Sequence, residues 1–167
     1  MKSSAHDFAE AAERHLDDVH AFLVYLTGDK SVAEDLTAET FARALERWRR
    51  YDPRRGSACT WLCQLARSTA LDYFRAEDRR RRREGRYALG VSDAEEPVFG
   101  EGLSAVLERA LARLSAAERE VVALRVVLEL DGESAARVLG ISATACSTRL
   151  SRALQKLQKE VSAGVAA

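Results

Sequence analysis

Proline and glycine are scarce in this chain of 167 residues, which contains 2 prolines and 9 glycines. Because these two residue types interrupt helices, their scarcity together with 47% hydrophobic residues favours helices throughout. No apolar run approaches the roughly 20 residues that a membrane-spanning helix needs. The N-terminal residues lead into acidic sequence without the apolar core of a signal peptide. The sequence therefore predicts an all-α protein that does not insert into a membrane and resides in the cytoplasm.

Cysteine is also scarce, with three residues that lack the spacing of a disulfide framework and fit a reducing compartment. Cys59 and Cys63 stand four residues apart on one predicted helix, and His15 and His20 lie on another, which leaves a metal-dependent enzyme as one alternative. However, the histidine spacing does not place both rings on one helix face, and small buried thiols are the commoner explanation. The sequence also lacks a Gly-rich phosphate loop and a nucleophile elbow. We therefore predict no catalytic residue, no cofactor and no metal site.

An excess of charge of one sign is absent as well, since 26 basic and 26 acidic residues cancel. The charges are nevertheless segregated: residues 1–40 hold 9 acids and 3 bases, and residues 41–90 hold 14 bases and 6 acids. Residues 91–120 are again acidic, with 7 acids and 3 bases, and 121–167 are mildly basic, with 6 bases and 4 acids. A protein that coats nucleic acid along its length would be basic overall. We therefore expect DNA binding through one or two patches and protein binding through an acidic one.

Turn-forming residues divide the chain into two helical domains. The first helical pattern stops near Gly28, and the segment 51–57 (YDPRRGS) predicts a loop because Pro and Gly disfavour a continuous helix there. The acidic stretch 93–100 (DAEEPVFG) contains the second proline and has no periodicity, which is typical of a linker. The predicted organisation is a domain at 1–87, a linker at 88–102, a second domain at 103–162 and a tail at 163–167.

Several side chains are placed to cap helices. Ser31 and Ser115 each stand three residues before a glutamate, which is the capping-box spacing. Asp131 and Ser142 can cap the last two helices, and Gly140 between them suits the left-handed backbone of a tight turn. The C-terminal domain is therefore predicted to contain a helix-turn-helix.

Three segments carry recognisable motifs: 29–41 (DKSVAEDLTAETF), 60–75 (TWLCQLARSTALDYFR) and 139–153, which begins LGIS and ends RLSRA. In order and spacing they resemble the extracytoplasmic-function, or group IV, sigma factors of bacterial RNA polymerase. In that family the first motif docks on the clamp coiled coil of the β′ subunit, the second reads and melts the minus-ten element, and the third reads the minus-thirty-five element. The resemblance implies a sigma-2 type helical bundle joined to a sigma-4 type helix-turn-helix domain.

The implied function is binding of core RNA polymerase and promoter-specific initiation of transcription. The implied partners are the β′ clamp and β flap of bacterial core polymerase, promoter DNA and an anti-sigma factor. The acidic linker, by resemblance, runs through the RNA exit path of the polymerase. The alternative is a stand-alone DNA-binding regulator that uses only the C-terminal helix-turn-helix, although it leaves the acidic helix and the aromatic loop without a role.

The polymerase-binding prediction rests on acidic side chains of the second helix. Asp35 and Glu39 lie one turn apart on its exposed face, so together they can oppose a basic surface on a partner. The resemblance extends the set to neighbouring positions. The predicted polymerase-binding residues are Asp35, Leu36, Glu39, Thr40 and Arg43.

The minus-ten prediction rests on aromatic and basic residues. Opening a duplex requires capture of an unstacked base, and stacking on an aromatic side chain contributes about 1–3 kcal/mol per base. Of the aromatic residues near the basic surface, Trp61 and Phe74 are expected in the core, which leaves capture largely to the loop 51–57, as the resemblance also implies. Five consecutive arginines at 79–83 exceed what a helix dipole favours, so they predict phosphate contacts. The predicted minus-ten residues are Tyr51, Asp52, Arg54, Arg55, Ser57, Trp61, Arg67, Arg75, Arg79 and Arg80.

The minus-thirty-five prediction rests on the first turns of the last helix, because recognition helices enter the major groove with their N-terminal residues. Family members often carry Lys or Arg where this chain has Ser147, and a more polar residue where it has Ala143, so fewer base contacts are expected. A helical bundle that binds only protein is the alternative. The predicted minus-thirty-five residues are Ser142, Ala143, Thr144, Ser147, Thr148, Arg149 and Arg152.

Overall fold

The computed structural model describes residues 4–85 and 96–167, and within these ranges every regular element is a helix. This confirms the predicted all-α class. Part of the predicted linker, at 88–95, lies outside the described residues. None of the described helices combines the length and apolar character needed to cross a membrane. The helices are α1 (Ser4–Thr27), α2 (Lys30–Arg47), α3 (Ala58–Glu84), α4 (Ala105–Arg113), α5 (Ala116–Val122), α6 (Gly132–Leu139) and α7 (Ala143–Ala166), with a 3₁₀ turn at Trp48–Arg50 and a π-helical turn at Ala123–Val127.

Helices α1, α2 and α3 pack on one another to form the first domain. Their shared core includes Phe22 and Leu23 of α1 and Leu62 of α3, all with no exposed surface. Removing such a side chain from water contributes roughly 1.5–3 kcal/mol of hydrophobic free energy. The exposed faces of α2 and α3 are therefore held on a rigid three-helix support.

The cap of α2 differs from the prediction. Gly28 adopts a left-handed conformation (φ 64°) that turns the chain out of α1, and Asp29 follows it as the N-cap. The Asp29 carboxylate accepts a hydrogen bond from the Val32 amide at 3.1 Å. The prediction that Ser31 caps α2 is wrong, because α2 has already begun at Lys30.

The caps of the second domain follow the prediction. Ser115 and Glu118 form a complete capping box, in which the Ser115 hydroxyl accepts from the Glu118 amide at 3.2 Å and the Ser115 amide donates to the Glu118 carboxylate at 2.8 Å. Asp131 and Ser142 cap α6 and α7, and Gly140 has φ 66° between them. The predicted helix-turn-helix is therefore formed. Helix α7 continues to Ala166, through most of the segment that the sequence placed in a tail.

The two domains pack together rather than standing apart. Helix α1 lies against α5, and α3 lies against α6, so that one continuous hydrophobic core spans both domains. Phe99 lies near the end of the predicted linker and is 2% exposed. Its ring centroid is 6.1 Å from that of Tyr25. Arg119 of α5 covers the Phe99 ring at 5.3 Å and donates to the Tyr25 carbonyl at 2.9 Å. The end of the linker is thus part of the domain contact.

Candidate nucleic-acid interface

A cluster of three aromatic rings supports the loop 51–57. Tyr51 stacks on Trp48 with centroids 4.9 Å apart and an angle of 27° between the planes. Trp61 of α3 meets both rings, at 5.6 Å from Tyr51 and 5.7 Å from Trp48. The Tyr51 hydroxyl donates to the Gly56 carbonyl at 3.2 Å, which ties the two ends of the loop together. Trp48 was not among the predicted minus-ten residues. Its position just before the loop was the sequence feature that could have indicated its part in this cluster.

Charged side chains of the same loop are held by local bonds. The Asp52 carboxylate accepts from the Arg54 amide at 3.0 Å and from the Arg54 Nε at 3.2 Å. These hydrogen bonds hold the pKa of Asp52 below its ordinary value, so this carboxylate stays ionised. Ser57 caps α3 by accepting from the Thr60 amide at 3.2 Å. The loop is therefore ordered before any ligand binds.

The loop borders a cleft of about 680 Å³, which lies within the range of small-ligand pockets. Its walls combine the loop arginines Arg54 and Arg55 with the ring of Trp61, which is only half-buried. Cationic groups beside a partly exposed aromatic face suit a nucleotide, because phosphate and base are then met together. The cleft is closed on one side by Arg137 of the second domain.

Arginines continue along α3 away from the loop. Arg75 lies 3.6 Å from Asp72, and Arg80 lies 2.8 Å from Glu77, but both arginines are well exposed and such surface pairs exchange readily with other anions. Arg79 is also exposed. Arg67 differs, because its Nε lies 2.9 Å from Glu120 of the second domain and its side chain is 27% exposed. Of the predicted α3 arginines, Arg75, Arg79 and Arg80 thus face solvent and Arg67 does not present a free charge.

The acidic surface of α2 consists of fewer residues than predicted. Asp35 and Glu39 are exposed, and Arg43 bridges Glu39 at 2.5 Å to Asp72 of α3 at 3.0 Å. Leu36 and Thr40, by contrast, lie in the core at 3% and 0% exposure. These two side chains can position the helix, and the surface available to a partner is formed by Asp35, Glu39 and Arg43.

The start of α7 presents a polar surface. Ala143, Thr144, Ser147 and Thr148 are all exposed, whereas Cys146 between them is fully buried and anchors the helix. The Ser142 hydroxyl accepts from the Ala145 amide at 3.1 Å, so its first role is to cap the helix. A shallow cleft of about 590 Å³ separates this turn from the start of α5, and it is lined by Thr144, Thr148, Arg149 and Arg152 together with Ser115, Ala117, Glu118, Ser142 and Ala145.

The second domain covers part of the loop in the first. Arg137 of α6 donates to the Arg55 carbonyl at 2.5 Å, and Gln64 of α3 donates to the Arg137 carbonyl at 3.4 Å. The Arg67–Glu120 ion pair adds a charged contact in which Glu120 is 5% exposed. This contact was not predicted, since nothing in the spacing of the charges showed which arginine meets which glutamate.

Two separate parts of the chain match known protein families. Residues 11–80 match the family described as Sigma-70 region 2, and residues 104–157 match Sigma-70, region 4. The first match contains the acidic surface, the aromatic loop and most of α3. The second contains the helix-turn-helix.

Two relatives are similar over most of the chain. The ECF RNA polymerase sigma factor SigM of Bacillus subtilis is 30% identical over 93% of this chain and 96% of its own length. The ECF RNA polymerase sigma factor BldN of Streptomyces coelicolor is 32% identical over 91% of this chain, which spans 59% of that relative. Among solved structures, a similar fold is found in the sigma factor RpoE of Bartonella quintana, which is in complex with the anti-sigma factor NepR. The TM-score is 0.79 at 23% sequence identity, and the match covers 93% of this chain and 97% of that one.

Proposed function

This chain belongs to the ECF RNA polymerase sigma factors, and from that membership we propose how its surfaces share the work of transcription initiation. A sigma factor is an initiation factor and not an enzyme: it binds core polymerase and directs it to promoters. The observation that carries the assignment is the presence, on one chain, of an acidic helix surface, a basic aromatic loop and a helix-turn-helix. The stand-alone regulator accounts only for the last of these.

Run-off transcription tests the function directly. Purified bacterial core polymerase is incubated with and without this protein on a library of promoter fragments. We expect discrete start sites that depend on the protein. If folded protein yields no such product, the stand-alone regulator becomes the better assignment, and retention of duplex DNA without polymerase supports it.

The first domain, 1–87, is assigned to core polymerase and the minus-ten element. Asp35, Glu39 and Arg43 form the surface for a basic partner on the β′ clamp, since both carboxylates are exposed and Arg43 links Glu39 to Asp72 of α3. The loop 51–57 is assigned to base capture, because its arginines lie beside the half-buried Trp61. Arg75, Arg79 and Arg80 contact phosphates and supply affinity without reading sequence.

The second domain, 103–162, is assigned to the minus-thirty-five element and the β flap, and the segment 88–102 to the connection between the domains. Arg137 and Glu120 hold the second domain over the first in the packed arrangement. Arg137 closes one side of the cleft beside Arg55, so a DNA strand there competes with its bond to the Arg55 carbonyl. In this proposal the domains separate when the protein engages a promoter, and the packed arrangement is the resting state.

The arginine run gives a prediction on salt dependence. Replacing Arg80, Arg81 and Arg82 with alanine should weaken binding to all DNA sequences alike, and should reduce the slope of log K against log salt by up to about 3, at roughly 0.9 per phosphate contact. Binding is measured by fluorescence anisotropy across a series of salt concentrations. Arg109→Ala, which removes an exposed arginine of α4, is the control and should leave the slope unchanged. An unaltered slope in the triple variant would remove the run from the interface.

The recognition helix gives a prediction on specificity. Arg149→Ala should weaken binding to the upstream promoter element about 10-fold, because one base contact contributes roughly 1–3 kcal/mol. Binding to unrelated DNA should change little. Lys159→Ala removes the same charge from the far end of α7 and serves as the control. An equal loss on both DNAs would show that Arg149 contacts only phosphate.

An anti-sigma factor is the remaining proposed partner, and the cytoplasm, where core polymerase acts, is the proposed location. The support comes from the solved structure of similar fold in which the sigma factor RpoE is bound to the anti-sigma factor NepR. CnrH, also of similar fold, is bound to the cytosolic domain of CnrY. A tagged copy isolated from its native cell should carry such a partner and be inactive in run-off transcription until the partner is removed. Full activity of the freshly isolated complex would contradict regulation by this route.

A further inference from the structure

A group of metal-ligand side chains lies where α1 meets the start of α3, away from the acidic surface of α2 and the arginine run. A nitrogen of the His15 ring, a carboxylate oxygen of Asp18 and the sulfur of Cys59 all lie within 4.8 Å of one another. The sequence showed only His15 and Asp18 on one helix and Cys59 more than 40 residues away. Packing of α1 on α3 brings the three together.

The His15 side chain is not explained by the contacts around it. Its Nδ1 atom is buried and has no hydrogen-bond partner among the described residues. The Asp18 carboxylate is 3.8 Å from this nitrogen, which is too far for a hydrogen bond. A buried polar atom without a partner has a cost in folding free energy that a bound ligand would remove.

From this geometry we propose that His15, Asp18 and Cys59 bind a zinc ion between α1 and α3. Nitrogen, carboxylate oxygen and thiolate sulfur are the three donor types of protein zinc sites. Ligand atoms around tetrahedral zinc are roughly 3.2–3.8 Å apart, so a separation of 4.8 Å must shorten by about 1 Å or more. His15 Nδ1 and the Asp18 carboxylate are already 3.8 Å apart, and the Asp18 side chain is 47% exposed and can adjust. Water completes the tetrahedron from the Asp18 side, and the Cys59 thiol loses its proton to solvent when it binds the metal.

The rest of the surroundings fits this chemistry. Cys59 is 8% exposed, and Cys63, one turn further along α3, has no exposed surface. A thiolate ligand at Cys59 is therefore shielded from most of the solvent. The bound ion would fix α1 to the first turn of α3, directly after the loop 51–57. This proposal does not depend on the sigma-factor assignment.

Cobalt titration of the full-length protein tests the proposal. After treatment with a chelator under reducing conditions, Co²⁺ should bind at one equivalent and produce a thiolate-to-cobalt charge-transfer band with the visible bands of a tetrahedral site. Zn²⁺ should abolish both signals. Zinc should also raise the midpoint of thermal unfolding, because binding to the folded state alone stabilises it.

Variants distinguish this site from adventitious binding. Cys59→Ser should abolish the charge-transfer band, and Asp18→Asn, at a partly exposed position that does not threaten folding, should weaken Co²⁺ binding at least about 10-fold. His15→Ala should weaken it similarly. His20→Ala on the same helix and Cys146→Ser in the second domain are matched controls that should bind as tightly as the parent. Cobalt spectra without the thiolate band, or equal binding by Asp18→Asn and His20→Ala, would overturn the proposal without bearing on transcription.

Discussion

Replacing Asp35 and Glu39 together with alanine should weaken binding to core polymerase by about 100-fold or more. A close charge pair across an interface contributes about 1.5 kcal/mol or more, and two such pairs are removed. The fold should survive, because both side chains are exposed and Arg43 keeps its bond to Asp72 at 3.0 Å when Glu39 is lost. Transcription at a fixed, subsaturating concentration of polymerase should fall accordingly.

The control for this variant removes the same number of negative charges from a different part of the first domain. Glu13→Ala with Asp17→Ala also removes two exposed carboxylates, both from α1 and outside the 29–41 motif. Binding is measured by competition for core polymerase against a labelled sigma factor, and circular dichroism verifies the fold. If the two double variants bind equally well, the acidic surface of α2 is not the docking site and only the net charge of the domain matters.

Local signals in the sequence predicted most of the helix caps of this protein. Ser115, Asp131 and Ser142 each cap a helix as expected, since a cap depends only on residues within one turn. The left-handed Gly140 follows from the same local reasoning. At α2 the prediction was wrong: Ser31 has the capping-box spacing, but the helix begins one residue before it, after the left-handed Gly28, and Asp29 is its cap.

Contacts between distant segments could not be predicted in the same way. The pairing of Arg67 with Glu120 and of Arg137 with the loop depends on how two helical bundles face each other, which no periodicity within a helix records. The same limit applied to His15 and Cys59, whose meeting requires the packing of α1 on α3. Leu36 and Thr40 show a further limit. A family motif gives the positions that matter for binding, but it does not distinguish side chains that contact the partner from buried side chains that hold the helix in place.

Opening of the two domains should follow from Glu120→Gln. The substitution keeps the size of the side chain and removes its charge from the 2.9 Å contact with Arg67. The glutamine amide oxygen can still accept from Arg67, so what is lost is the charge pair, which contributes about 1.5 kcal/mol to the packed state relative to the open state. If only the open state binds promoter DNA, its apparent affinity scales with the open fraction, and we expect the affinity of the free protein to rise about 10-fold.

Glu160→Gln separates opening from a simple change of charge. Glu160 lies 3.4 Å from Arg113 within the second domain, so its substitution removes one negative charge while leaving the contact between domains intact. Loss of one negative charge should raise the general affinity for DNA equally in both variants. Only Glu120→Gln should bind DNA more tightly than this common increase explains. X-ray scattering in solution should show a larger radius of gyration for Glu120→Gln alone. If scattering shows the domains apart while DNA affinity matches the Glu160→Gln control, the second domain does not restrict access to the loop, and the packed arrangement has no inhibitory role.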